Sequence, residues 1–256
     1  MLLVHLLDSY RPIVDEVFLT PLIEVQSLVR DYFGWAYEDD LTCALEMSEM
    51  FSSKMPFGVE KWANENRSVS LQNLERNLNS AEKVIIVGAA IEDSEIEALK
   101  KLDCVIIAAD GSVGAVKNLN SLTCVVTDFD GNPHLDQVAE NGVTFVAHVH
   151  GDNREKWKQS LTKWEFLPNP PEIILSHQVK EEILGMYNFG GFTDGDRAVC
   201  LALYLGVPIH KITLIGFSTK QVGKWSGETN RERKLLKLNW MFRILSLVGL
   251  ANQVEN

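Results

Sequence analysis

From Val84 onward, short runs of β-branched and apolar residues recur along the chain, and they constrain its fold more than any other feature. They are Val84-Ile85-Ile86-Val87, Cys104-Val105-Ile106-Ile107, Cys124-Val125-Val126, Thr144-Phe145-Val146-Ala147, Ile173-Ile174-Leu175 and Ile212-Thr213-Leu214-Ile215. A strand with one wet face alternates apolar and polar residues. A continuous apolar run belongs to a strand buried on both faces. Separated by amphipathic stretches, such runs predict an α/β fold, a mostly parallel sheet flanked by helices. Asp110, Asp128, His148, His177 and Gly216 all follow proposed strand ends. Open α/β sheets bind ligands beyond the carboxyl ends of their strands, so these residues are expected to converge on one edge.

The chain before Lys83 reads differently. Leu22, Val25, Leu28 and Phe33 recur at helical intervals. Asp40 is expected to cap a second helix running to about Met50, and Ser70 a third that starts before Leu71. The expected division is a small helical N-terminal region over residues 1–75 and an α/β catalytic domain over 76–256. The helical region is expected to act as a cap or a dimerisation element, which leaves a homodimer open.

Composition excludes several function classes. A net charge of −11 argues against a nucleic-acid backbone binder. The four cysteines form no C-x-x-C pair, which argues against a zinc or redox site. Cys104 and Cys124 lie in apolar runs and read as buried thiols, in keeping with a reducing cytoplasm. The N-terminus lacks a basic lead and a cleavage site, so no signal peptide is expected. No apolar run approaches the ~18 residues of a membrane span.

The chemistry concentrates at the proposed strand ends. Thr127-Asp128-Phe129-Asp130-Gly131 carries two acids, which share a side if the chain stays extended. Paired carboxylates repel unless a cation or proton intervenes, and magnesium takes such oxygens together with substrate phosphates. An isolated D-x-D-G is also an ordinary turn. In Ala109-Asp110-Gly111-Ser112, Asp110 could meet a metal or a substrate and Ser112 could cap the following helix. In His148-Val149-His150-Gly151-Asp152-Asn153, Asp152 could help hold magnesium and the histidines could meet phosphate or substrate. No ligand set for a zinc site accompanies them. Gly190-Gly191-Phe192-Thr193-Asp194-Gly195-Asp196-Arg197 precedes a helix over Ala198–Leu205. A helix start favours an anion, and Arg197 can clamp phosphate in bidentate fashion. Gly223-Lys224-Trp225-Ser226-Gly227 could bring Lys224 and Ser226 to phosphates in a loop. It lacks the order of a P-loop.

In this order, ADGS, TDFDG, H-x-HGDN, GFTDGDRA and GKWSG resemble the archaeal-type 6-hydroxymethyl-7,8-dihydropterin pyrophosphokinases, over about residues 83–240. That family is similar in fold to the catalytic domain of thiamine pyrophosphokinase. The resemblance implies a diphosphotransferase that uses ATP, a small pterin-like alcohol and Mg2+. Asp128 and Asp130 match the D-x-D pair of the thiamine enzymes, Asp110 the acid of their A-D-G turn, and Asp194 that of a later T-D motif. The resemblance makes Asp128, Asp130, Asp152 and Asp194 catalytic candidates. Asp110, Asp128, Asp130 and Asp152 are the metal candidates. Asp110, Ser112, His150, Asn153, Thr193, Arg197, Lys224 and Ser226 are candidates for the nucleotide. Gly88-Ala89-Ala90 departs from the glycine-rich turn expected after the first strand. The same motifs also resemble a domain of some flagellin glycosyltransferases. Thiamine pyrophosphokinase activity and a non-catalytic nucleotide-binding module also stay open.

Overall fold

A computed structural model describes residues 16–227 and 230–256. Three helices come first: α1 (Glu16–Phe33), α2 (Tyr37–Met50) and α3 (Asn64–Ser80). The α/β pattern follows as β1 (Val84–Val87), α4 (Asp93–Leu99), β2 (Val105–Ala109), α5 (Val113–Val116), β3 (Leu122–Thr127), α6 (His134–Ala139), β4 (Thr144–His148), α7 (Arg154–Trp164), β5 (Ile173–Ser176), α8 (Asp194–Tyr204), β6 (Ile212–Ile215) and α9 (Arg231–Leu247). The strands form a six-stranded sheet in the order β5-β4-β3-β2-β1-β6. Every pairing is parallel. All six apolar runs are therefore strands of one parallel sheet.

Strands β1 to β5 bury both faces, as continuous apolar runs require. The edge strand β6 is half-buried at Thr213 and Ile215. Val84, Ile86, Ile107, Val126, Val146 and Ile174 point to one core, shared with α1, α3, α8 and α9. Ile85, Val87, Ile106, Val125, Phe145 and Ile173 point to the other, shared with α2, α6 and α7. Full burial of such a side chain contributes about 1.5–3 kcal/mol, so the two cores pin both the register and the helices. The N-terminal helices lie in these cores, and α1 also packs on α9. Among the described residues no helix is long and apolar enough to cross a membrane.

Several local expectations fail. Leu28 is 58% exposed and Val29, at 2%, takes its place in the core. Asp40 lies in the first turn of α2, not at its cap, and pairs with Arg30 at 3.3 Å. Ser70 is inside α3, where its hydroxyl donates to the Asn66 carbonyl at 3.1 Å. Ser112 does not cap α5; it is buried and donates to the Val87 carbonyl at 2.8 Å, joining the ends of β1 and β2. Cys124 is buried as expected, whereas Cys104 is only half-buried. At Asp40, Ser70 and Ser112 tertiary packing overrode a local capping preference worth about 1 kcal/mol.

Candidate active site

The carboxyl ends of the central strands, the start of α8 and one face of α9 enclose a pocket. At its floor Asp110, Asp128 and Asp194 each present a carboxylate oxygen, all within 4.8 Å of one another. Three elements supply them. Asp110 follows β2 in a left-handed conformation, φ 46°, which Asp tolerates better than most residues. Asp128 follows β3. Asp194 opens α8, where Thr193 and Asp196 form a capping box that holds the turn in place. Buried Thr127 fixes the geometry between strands. Its hydroxyl donates to Asp110 Oδ1 and accepts from the Phe129 amide at 2.8 Å.

Phe129 separates the two acids of the D-x-D segment. Its φ is 70°, an uncommon value for a bulky residue. The ring is buried, its centroid 5.8 Å from that of Trp164. The chain therefore does not stay extended. Asp128 turns into the cluster, while Asp130 lines the pocket further out and pairs with Lys156. Asp152 also stands outside the cluster. It is 72% exposed and pairs with His150 Nδ1. Asp194, which the sequence offered as an assisting ligand beside Asp110 or Asp152, stands with Asp110 and Asp128 in the cluster.

The charges around the cluster are unequal. Burial, then the neighbouring Asp128 charge, push the Asp110 carboxyl up to about 7. Burial and the charges of Asp128 and Asp110 raise Asp194 well above the carboxylate range. Burial would raise Asp128 too. The hydrogen bond and charge of His150, 3.3 Å away, outweigh it with help from Arg197 and Lys234, and hold Asp128 far below its usual value. Burial disfavours the His150 cation, yet its bonds to Asp128 and Asp152 raise it to about 9. Ionisation is thus favoured at Asp128 and disfavoured at Asp110 and Asp194. Among the described residues, Asp128 Oδ1 and Asp194 Oδ1 are buried without a hydrogen-bond partner, Asp194 Oδ1 having the Arg197 guanidinium 3.6 Å away. Two orphan hard oxygens beside a third carboxylate fit a hard divalent cation.

The remaining candidates divide. Thr193, Arg197, His150 and Ser226 line the pocket. Arg197 NH1 lies 3.6 Å from Asp194 Oδ1, and NH2 donates to Gln178 Oε1 at 2.8 Å. Asn153 is buried behind the pocket. Its Nδ2 donates to the carbonyls of His148 and Asp128, at 2.8 and 3.0 Å, and its Oδ1 accepts from the His150 amide. It ties the end of β3 to the loop after β4. Lys224 faces outward, 3.4 Å from Asp93 and 5.1 Å above the Trp225 ring. The 223–227 loop itself sits against the site. Trp225 donates its amide to the Ala89 carbonyl at 3.1 Å. At Gly111 a methyl group would overlap the Trp225 carbonyl oxygen, so the close approach requires glycine.

Sequence reasoning missed Lys234, Lys237 and Trp35. The two lysines share a face of α9 and line the pocket with Trp35, from the α1–α2 turn. Lys237 lies 5.5 Å over the Trp35 ring. Arg231, Arg233, Lys234 and Lys237 form a basic cluster in the sequence. Lys234 and Lys237 are three apart, on one helical face. That is the one signal the chain offers, and it does not say where the face docks.

Residues 60–220 match the model of the 6-hydroxymethylpterin diphosphokinase MptE-like family. That is more than half of the chain. The chain belongs to this family. The matched stretch includes all six strands, Asp110, Asp128, Asp194 and Arg197, and ends before Lys224 and α9. Among curated relatives, the 6-hydroxymethyl-7,8-dihydropterin pyrophosphokinase of Pyrococcus furiosus is 35% identical over 211 residues, covering 74% of this chain and 85% of the relative. The protein of the same name from Methanocaldococcus jannaschii is 32% identical over 181 residues, 61% of this chain and 73% of its own. That of Methanothermobacter thermautotrophicus is 34% identical over 133 residues, 50% and 53% respectively.

Proposed function

We propose that this protein transfers the diphosphate of ATP to the hydroxymethyl group of a 6-hydroxymethyl-7,8-dihydropterin, releasing AMP. The observation that carries this reading is the Asp110–Asp128–Asp194 cluster, with its orphan oxygens and with Arg197, Lys234 and Lys237 lining the same pocket. The family membership supports the reaction class. In the reaction the substrate hydroxyl attacks the β-phosphorus and the bond to the AMP oxygen breaks. Such a transfer is limited by positioning and by charge.

Asp110, Asp128 and Asp194 would hold Mg2+, which would supply positive charge against the phosphates when bound. His150 keeps Asp128 ionised and in place. Arg197 would take phosphate oxygens with its fork, Lys234 and Lys237 would add charge, and the capped start of α8 would face an anion. Asp130 and Asp152, paired with Lys156 and His150, line the pocket outside the cluster. The 223–227 loop brings Ser226 to the pocket.

Incubation with ATP, magnesium and the reduced pterin alcohol should release AMP and yield the pterin diphosphate. Excess chelator should abolish the reaction. Full turnover in chelator would remove the metal role. A glycosyltransferase-like domain or a binding module would release no AMP, and thiamine in place of the pterin tests the sister activity. Arg197→Lys should raise KM for ATP about tenfold, because a point charge replaces a bidentate contact. The protein should still fold. Unchanged ATP kinetics would make Arg197 a structural residue.

A further inference from the structure

Asp40 is buried at the start of α2, outside the stretch that matches the family, and no step above uses it. Its carboxylate accepts from three donors. Oδ1 accepts from the Gly151 amide at 2.9 Å. Oδ2 accepts from Gln178 Nε2 at 2.8 Å and from Arg30 NH1 at 3.3 Å. Two of these donors belong to the pocket wall. Gly151 stands between His150, the partner of Asp128, and Asp152. Gln178 follows β5, and its Oε1 accepts from Arg197 NH2 at 2.8 Å and lies 3.4 Å from His148 Nε2. Arg30 also donates to the Gln178 carbonyl at 2.9 Å, which fixes that backbone from α1.

The polarity of this chain of bonds matters. An ionised carboxylate only accepts, while a glutamine amide has one accepting and one donating end. Facing Asp40, Gln178 must present its NH2 group. Its oxygen is then left for Arg197, whose guanidinium only donates. Reversing the amide would set two donors against each other at Arg197. Asp40 thus dictates, through one intervening side chain, how the Arg197 fork is held.

We propose that Asp40 is a positioning residue of the active site. Through Gln178 it orients Arg197, and through Gly151 it seats the His150–Asp152 loop. The helical N-terminal region is then part of the phosphate-binding machinery. This rests on the reading of Arg197 as a phosphate ligand. The plainer view makes Asp40 only the buried counter-charge of Arg30.

Two variants separate these views. Asp40→Asn puts an NH2 group where an acceptor is needed. Gln178→Leu leaves the Asp40–Arg30 pair and the Asp40–Gly151 bond in place and removes the side chain that joins Asp40 to Arg197, together with its contact to His148. Both should raise KM for ATP about tenfold, as Arg197→Lys does, with kcat within about threefold of wild type. Gln178→Leu combined with Arg197→Lys should be little worse than either alone, because the two changes break one network. A readout without turnover accompanies the kinetics: the rise in melting temperature on adding ATP and magnesium should shrink in both variants. If Asp40→Asn does not fold, Gln178→Leu decides. Wild-type KM and a wild-type melting increment in Gln178→Leu would overturn the proposal and leave Asp40 as a counter-charge. A wild type that binds ATP with magnesium but makes no AMP would instead overturn the pyrophosphokinase reading, and the melting increments would still judge Asp40.

Discussion

Asp194→Asn should reduce turnover by about 10²–10³-fold, since a neutral ligand replaces a charged one where phosphate charge must be neutralised. The metal-free protein should nevertheless be as stable as the wild type or more so. Asp194 is held well above its ordinary range by burial and by the charges of Asp128 and Asp110. A group penalised in this way destabilises the native state once the pH exceeds its unfolded pKa, and the amide removes the penalty. The sign is opposite at Asp128. His150 favours that anion in the folded state, so Asp128→Asn should lower metal-free stability while reducing turnover to the same extent. In the wild type without metal, Asp110 shifts from an ordinary value of 3.8 to about 7. The native state then keeps protons that the unfolded chain releases. Metal-free stability should fall as pH rises through that window, and saturating magnesium should flatten the slope. Melting curves of the three proteins, with and without ATP and magnesium, decide the matter. Equal ligand-induced melting increments in all three would sink the assignment of the cluster as the metal site.

Trp164→Ala should cost about 3–5 kcal/mol of stability, the range for deleting a large buried aromatic. The indole is fully buried. Its ring centroid lies 4.5 Å from that of Phe145 and 5.8 Å from that of Phe129, and its Nε1 donates to Asp136 at 2.7 Å. The loss should extend to function. Phe129 sits between Asp128 and Asp130 with φ at 70°, and its burial against Trp164 holds it there. Without that support the segment should relax toward the extended form, turning Asp128 out of the cluster. Denaturant unfolding at unchanged slope gives the stability, and the melting increment from ATP and magnesium gives the site. A variant that loses the expected stability but keeps the full increment would show that Phe129 holds its conformation without Trp164.

All six strands were legible from the chain alone, because a strand in the middle of a covered parallel sheet must be apolar at nearly every position. The convergence of Asp110 and Asp128 on one edge followed from strand direction, which parallel pairing imposes. Helix details were less legible. Ser70 and Asp40 are good capping residues by local chemistry, yet both lie within helices whose ends were set by packing on the sheet. The composition of the cluster could not be read from spacing. Asp128 and Asp130 are two residues apart, but one positive φ between them sends their side chains to different neighbours. Asp194, far along the chain, completes the cluster because α8 begins where the end of the sheet is open. Lys234, Lys237, Trp35 and Asp40 reach the pocket only because α9, the α1–α2 turn and the start of α2 dock beside it. A local pattern reports what a segment buries, since burial acts on each strand or helix separately. Which side chains meet depends on how rigid elements from distant parts of the chain pack together, and that is a property of the tertiary structure.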